Sequence, residues 1–140
     1  MSGADALTIV RQHRVGVLVT LRADGRPHTS NVAYAVIDGQ VLISVTASRA
    51  KTRNLRRDPR AALHVSTPDL SAWACLECTA GLSAVSTSPG DQVGQDLASL
   101  YRAIAAQDHP DWPEYYQAMV DEQRLLLTLT VLHGYSGGAA

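Results

Sequence analysis

The 140 residues contain no phenylalanine, and five tyrosines with two tryptophans bring the aromatic share to only 5%. Base-stacking platforms are therefore scarce, which argues against a surface built for single-stranded nucleic acid. Two cysteines are too few for the disulfide frameworks that staple small secreted domains. No long apolar run occurs either. The longest, Leu125-Leu126-Leu127 continuing to Val131-Leu132, is broken by threonines and falls far short of the roughly 20 residues that cross a bilayer. The opening Met1-Ser2-Gly3-Ala4-Asp5 has no basic stretch leading into an apolar one, so no secretory signal is read and a cytoplasmic location is expected. The dinucleotide fingerprint Gly-x-Gly-x-x-Gly, the phosphate-loop signature and the Gly-x-Ser-x-Gly elbow of hydrolases are all missing.

What is present is a 46% hydrophobic, 18% charged chain, the balance of one soluble folded domain over residues 1–140. A chain of this size buries roughly two thirds of its unfolded surface and needs neither disulfide nor structural metal. The net charge of −1 hides an asymmetry. Residues 1–60 carry ten of the twelve basic side chains and a charge of +6, whereas residues 61–140 carry −7. Six of those ten basic groups, Arg49, Lys51, Arg53, Arg56, Arg57 and Arg60, fall within twelve residues. Such a field draws anions at short range.

Periodicity supplies the elements. Residues 4–13 place Ala6, Ile9, Val10 and His13 at helical spacing, and from Val15 the period becomes two, predicting a strand over 15–21. Asp24-Gly25 and Asp38-Gly39 read as hairpin turns between that strand, a second over 27–37 and a third over 40–46. A short helix is expected over 49–58, with Ser48 as N-cap and Pro59 as stop. Strands over 61–67 and 73–85, helices over 92–106 and 111–122, and a closing strand over 125–133 complete the chain. Short early connections and about six strands predict a mainly β fold, an antiparallel sheet curled into a small barrel with peripheral helices.

The chemistry concentrates where the third strand meets the basic helix. Thr46, Ser48 and Thr52 offer short neutral donors, Arg49 a planar fork and Lys51 a point charge beside a helix N-terminus, a set matched to phosphoryl oxygens. Arg49, Arg53, Arg56 and Arg57 share one side of that helix, where a longer anionic chain has room to lie. The competing reading is a solvated charged helix, but only Asp24 and Asp38 stand as acids between residues 15 and 57. Cys75 and Cys78 lie three apart on an expected strand and so point to opposite faces, which favours two structural thiols over a redox pair. Five scattered histidines show no metal-ligand spacing, so no metal is expected, and no side chain is nominated as a catalytic group.

The segments Val15–Leu21, Asp24-Gly25-Arg26-Pro27-His28-Thr29-Ser30-Asn31-Val32 and above all Arg49-Ala50-Lys51-Thr52-Arg53-Asn54-Leu55-Arg56-Arg57-Asp58-Pro59-Arg60 resemble the pyridoxamine 5′-phosphate oxidase-like split β-barrel proteins. The likeness runs on through His109-Pro110-Asp111-Trp112 to Leu125–Leu129, nearly the whole chain, and is closest to the flavin/deazaflavin oxidoreductase B group, which uses coenzyme F420. The resemblance implies a homodimer of six-stranded split barrels with a cofactor in each of two grooves between the chains. It places the cofactor phosphate at Thr46, Arg49 and Lys51, with Asn54 supporting that loop. Ser30, Asn31 and Val32 would then flank the ring system, and Val45 would lie under it. Arg53, Arg56 and Arg57 become candidates for the deazaflavin's oligoglutamate tail. The activity implied is hydride transfer between F420 and an electron-poor small organic substrate. An FMN-dependent oxidoreductase of the pyridoxamine 5′-phosphate oxidase type and a non-catalytic deazaflavin carrier are the alternatives, because both cofactors present a phosphate to the same place.

Overall fold

In a computed structural model of the chain, which describes residues 3–138, the alternating apolar residues turn inward as their spacing requires. The elements in chain order are α1 (Gly3–Arg11), β1 (Val15–Leu21), β2 (Pro27–Ala33), β3 (Ala35–Ile37), β4 (Gln40–Thr46), α2 (Ala50–Arg57), β5 (Arg60–Ser66), β6 (Ala72–Leu82), α3 (Gln92–Ala105), α4 (Trp112–Asp121) and β7 (Arg124–Gly138). All strand pairs are antiparallel, in the order β2-β1-β5-β6-β7-β4-β3. The sheet curls until β2 touches β4, giving a split β-barrel with helices outside it. Leu18, Val41, Ile43, Val45, Leu63, Leu76, Leu125, Leu127 and Leu129 fill the interior, and α1 adds Ala6, Ile9 and Val10.

The strand expected over 27–37 is in fact two, so the barrel has seven strands where six were expected. The break falls at Tyr34. Its hydroxyl donates to the Val10 carbonyl at 2.6 Å and its backbone N–H to the Arg14 carbonyl at 2.9 Å, so it serves α1 and the α1–β1 link and not a strand partner. Before it β2 pairs with β1; after it β3 pairs with β4 at the opposite end of the sheet. Period-two alternation continues across such a switch of partner and does not reveal it.

The turn chemistry holds. Gly25 takes φ +85°, and Asp38 and Gly39 both take positive φ, as a two-residue hairpin requires. Ser48, expected to cap α2, is exposed, and the N-cap position belongs to Arg49 without a side-chain cap bond. The hydroxyl that ties this corner is that of Thr52, donating back to the Thr46 carbonyl at 2.7 Å. Asp91 caps α3: Oδ1 accepts from Gly94 N and Ser86 Oγ, and Oδ2 from Thr87 N and Ser88 N. Asp111 caps α4 by accepting from Glu114 N at 3.1 Å, with Pro113 in the first turn. Together α3 and α4 make a small second core of Leu97, Ala98, Tyr115 and Met119, packed onto the barrel's outer side through Leu126.

Candidate functional site

A cavity of about 440 Å³ lies between that helix pair and the barrel. The barrel side is formed by Asn31, Val32 and Ala33 of β2, Ser44 of β4 and Arg124 at the start of β7, together with Lys51 of α2. Leu97, Leu100, Tyr101 and Ile104 of α3 and Tyr115 and Met119 of α4 form the other side. A mostly apolar hollow with a few polar groups is the usual form of a small-molecule site, and this volume lies within the usual range. Its only formal charges are the two cations.

Lys51 is half-buried, and burial first, then the neighbouring Arg49 and Arg124 charges, hold its ammonium below the ordinary lysine range. The crowding of like charges is what a bound anion would relieve. Arg124 stands opposite Thr46 in the β4–β7 register, and its Nε and Nη2 both donate to Glu122 Oε1, at 3.1 and 3.0 Å. Glu122 thus answers one of the two cations. Arg49, Arg53 and Arg56 are exposed and make no side-chain hydrogen bond or ion pair among the described residues. Within the basic run, Arg60 pairs with Asp58 at 2.8 Å. Among the described residues no acid from the C-terminal half forms an ion pair with the cations of α2.

The structure divides the expected binding residues. Asn31, Val32 and Lys51 reach the cavity. Thr46 positions Lys51 through its carbonyl, which receives Thr52 Oγ1 and Arg49 N. Thr52 itself is buried and occupied by that bond. Ser30 lies on the other face of β2 from Asn31, its hydroxyl oxygen buried and without a hydrogen-bond partner among the described residues. Val45 points into the barrel core, and the adjacent Ser44 takes the cavity side of β4. Asn54 is buried between Thr20 Oγ1, to which its Nδ2 donates at 3.1 Å, and Arg57 Nη2, which donates to its Oδ1 at 3.0 Å. It fastens α2 to β1. Arg53 and Arg57 turn to a different hollow, beside Arg22 and His28, while Ser48, Arg49 and Arg56 line neither.

Sequence reasoning did not single out Arg124, Ser44 or the helical wall. Arg124 carried a signal, as one of only two basic residues in the acidic half. Cys75 and Cys78 are free buried thiols on opposite sides of β6. Cys78 belongs to the barrel core, where burial above all pushes its thiol up to about 12, with Cys75 and Glu77 adding to it. Among the described residues no three His, Cys, Asp or Glu side chains gather closely enough to hold a metal.

The family profile of pyridoxamine 5′-phosphate oxidase matches residues 4–136. The chain belongs to the pyridoxamine 5′-phosphate oxidase family. Within solved structures, this family member is similar to a conserved hypothetical protein, Rv2991, of Mycobacterium tuberculosis, at 26% identity over 99% of this chain and 85% of that one, with a TM-score of 0.76. It is also similar to a heme binding protein from Mycobacterium smegmatis, at 27% identity and a TM-score of 0.71. That match covers 99% of this chain but only 55% of the longer one. An F420 reductase shares the fold at 18% identity and a TM-score of 0.69, over 91% of this chain and 94% of that one.

Proposed function

We propose that this family member is an oxidoreductase that holds coenzyme F420 in the cavity between the barrel and the α3–α4 pair. It would transfer a hydride between that coenzyme and an electron-poor small organic substrate. The observation that carries the reading is the pairing of Lys51 and Arg124 at the border of an otherwise apolar hollow. Two convergent donors, one a point charge and one a planar fork, suit a phosphate, and the apolar and aromatic lining suits a flat ring. The fold shared with an F420 reductase supports the same reading. When bound, the deazaflavin supplies the hydride chemistry.

The chain's own residues bind and orient. Lys51 and Arg124, assisted by Thr46 and Arg49, would take the phosphate. Asn31 and Val32, with Ser30 behind them, would flank the ring from β2, and Val45 would support the strand from inside. The oligoglutamate tail would leave over α2, toward Arg53, Arg56 and Arg57. Leu97, Leu100 and Met119 line the hollow, and with a ring seated against them they would displace water and strengthen the polar interactions beside it. We further propose that a second copy of the chain completes the site. Asn31 borders both the cavity and a hollow on the barrel's outer face lined by Val15, Val17, His64 and Ser66, where Val15 is 67% exposed.

Fluorescence titration of the purified protein with F420 and, separately, FMN tests the assignment. Saturable F420 binding with weak FMN binding is expected. Preference for FMN would move the protein to the flavin enzymes, and indifference to both would remove the oxidoreductase reading. Reduced F420 should then be oxidised by some member of a panel of enones and quinones. Tight binding without turnover on any of them would identify a carrier. Sedimentation at micromolar concentration should show a dimer.

A further inference from the structure

We propose that the cleft between the β1–β2 turn and α2 is a second anion site, taking a compact polyanion that carries two or more phosphoryl or carboxylate groups. The cleft has a volume of about 390 Å³ and is lined by Arg22, His28, Ala50, Arg53, Asn54 and Arg57, with Ala23. Lys51 and Arg124 are absent from its walls, and Arg53 and Arg57 are absent from theirs, so α2 serves two separate hollows.

Three guanidinium groups line the cleft, and the two nearest acids answer them only in part: Asp58, beside Arg57, is paired with Arg60, and Asp24 is shared with the turn. Asp24 stands 3.6 Å from Arg22, with both side chains about half exposed, and Asp24 Oδ1 also accepts the Arg26 N–H. Arg53 has no partner among the described residues. Arg57 is held in place, since its Nη2 donates to the Leu21 carbonyl at 2.9 Å and to Asn54 Oδ1 at 3.0 Å. Its Nε and Nη1 donors make no bond among the described residues. Asn54 is in turn fixed by Thr20, so the anchored guanidinium is preorganised and loses little freedom on binding. His28 lines the same cleft, and its ring adds a polar edge beside the three guanidinium groups. Planar forks of this kind recognise phosphate and carboxylate oxygens two at a time. An uncharged or cationic ligand would leave the converging charges unanswered.

The test is titration of the full-length protein with inorganic tripolyphosphate at low ionic strength, where surface charge is least screened, following the arginine Nε–Hε NMR signals. Saturable shifts are expected, with Arg53→Gln weakening binding by about tenfold and the exposed Arg22→Gln by several-fold, while Lys51→Ala leaves it within about twofold. Equal affinity in Arg53→Gln and wild type overturns the site. So does loss of binding in Lys51→Ala, which would place the anion in the apolar cavity. The probe contains no ring, so its result is independent of whether F420 binds. Repeating the titration in saturating F420 separates the sources. Undiminished binding supports a second site with its own ligand, whereas competition overturns it by assigning the cleft to the coenzyme's acidic end.

Discussion

The barrel and the α3–α4 pair face the same cavity but are built from different side chains. Among the described residues the barrel core is aliphatic with Tyr34 as its single aromatic ring, whereas Tyr101, Trp112, Tyr115 and Tyr116, four of the seven aromatic residues, lie in the helix pair. The barrel buries a broad interdigitated interior. The helices have only six buried residues between them, four of which form their shared core, and rely on ring contacts, with Tyr101 and Trp112 each 5.4 Å from Tyr115, centroid to centroid and edge to face. Arg102 adds a cation over the Trp112 ring at 4.4 Å. One wall therefore brings charge on a rigid frame, and the other brings shape on a thinner one. Thin, sparsely buried elements open at lower free energy than the core they rest on.

The largest expected effect breaks that contrast if it fails. Leu127→Ala, wholly buried at the barrel centre, should cost about 2–5 kcal/mol of global stability, read as a lowered urea midpoint. Met119→Ala, in the small helical core, should cost toward the lower end of that range, about 2 kcal/mol, and should speed hydrogen exchange in α3 and α4 before the barrel strands. Equal loss of protection everywhere would show the two regions to be one cooperative unit.

Charge on the barrel side is next. Lys51→Ala should weaken F420 binding by about 1–3 kcal/mol while leaving the urea midpoint near that of wild type. Because the Lys51 ammonium is already below the ordinary range, wild-type affinity should begin to fall with rising pH before the roughly 10.4 of a free lysine is reached. Binding curves taken across the alkaline range check this. A wild-type pH profile in the Lys51→Ala variant would assign the loss to another group.

The strands, both long helices and the cationic corner were legible because each rests on local pattern: alternation, caps at Asp91 and Asp111, and clustered cations between Arg49 and Arg57. The split at Tyr34 was not, since its cause is a hydrogen bond to Val10, 24 residues away. Val45 and Ser44 show the same limit. Adjacent residues of one strand face opposite sides, and which side bears the cavity depends on where α3 and α4 dock. The separation of Lys51 from Arg53 and Arg57 needed the β1–β2 turn in place, because Arg22 and His28 form the far wall of the second cleft.

At the entrance to the helix pair, Asp91→Ala should cost about 0.5–2 kcal/mol by removing the α3 cap and the bonds that order 86–88. Burial alone would raise this carboxyl, but hydrogen bonds from Thr87, Gly94, Ser86 and Ser88 outweigh it and hold the group at about 2. The folded value lies below the unfolded value of about 3.9, so the contribution is complete above that pH and is lost as pH falls through about 2. Urea midpoints of wild type and variant should therefore converge between pH 5 and pH 2. A constant gap would mean that the lost bonds do not depend on ionisation.

The smallest effect separates shape from hydrogen bonding within the helical wall. The Tyr115 hydroxyl donates to the Leu97 carbonyl at 2.9 Å, and burial above all pushes the phenol up to about 12, so at neutral pH it is a buried neutral donor. In Tyr115→Phe the ring stays and only that bond is lost, at a cost of about 0.5–1.5 kcal/mol. The lower end is expected, because Leu97 lies inside α3 and its carbonyl still serves the helix ladder. F420 affinity should then change by less than about twofold, a few tenths of a kcal/mol. If it falls as far as in Lys51→Ala, the phenol itself touches the ligand. The division of the cavity into a charged barrel wall and a shape-giving helical wall would then be wrong.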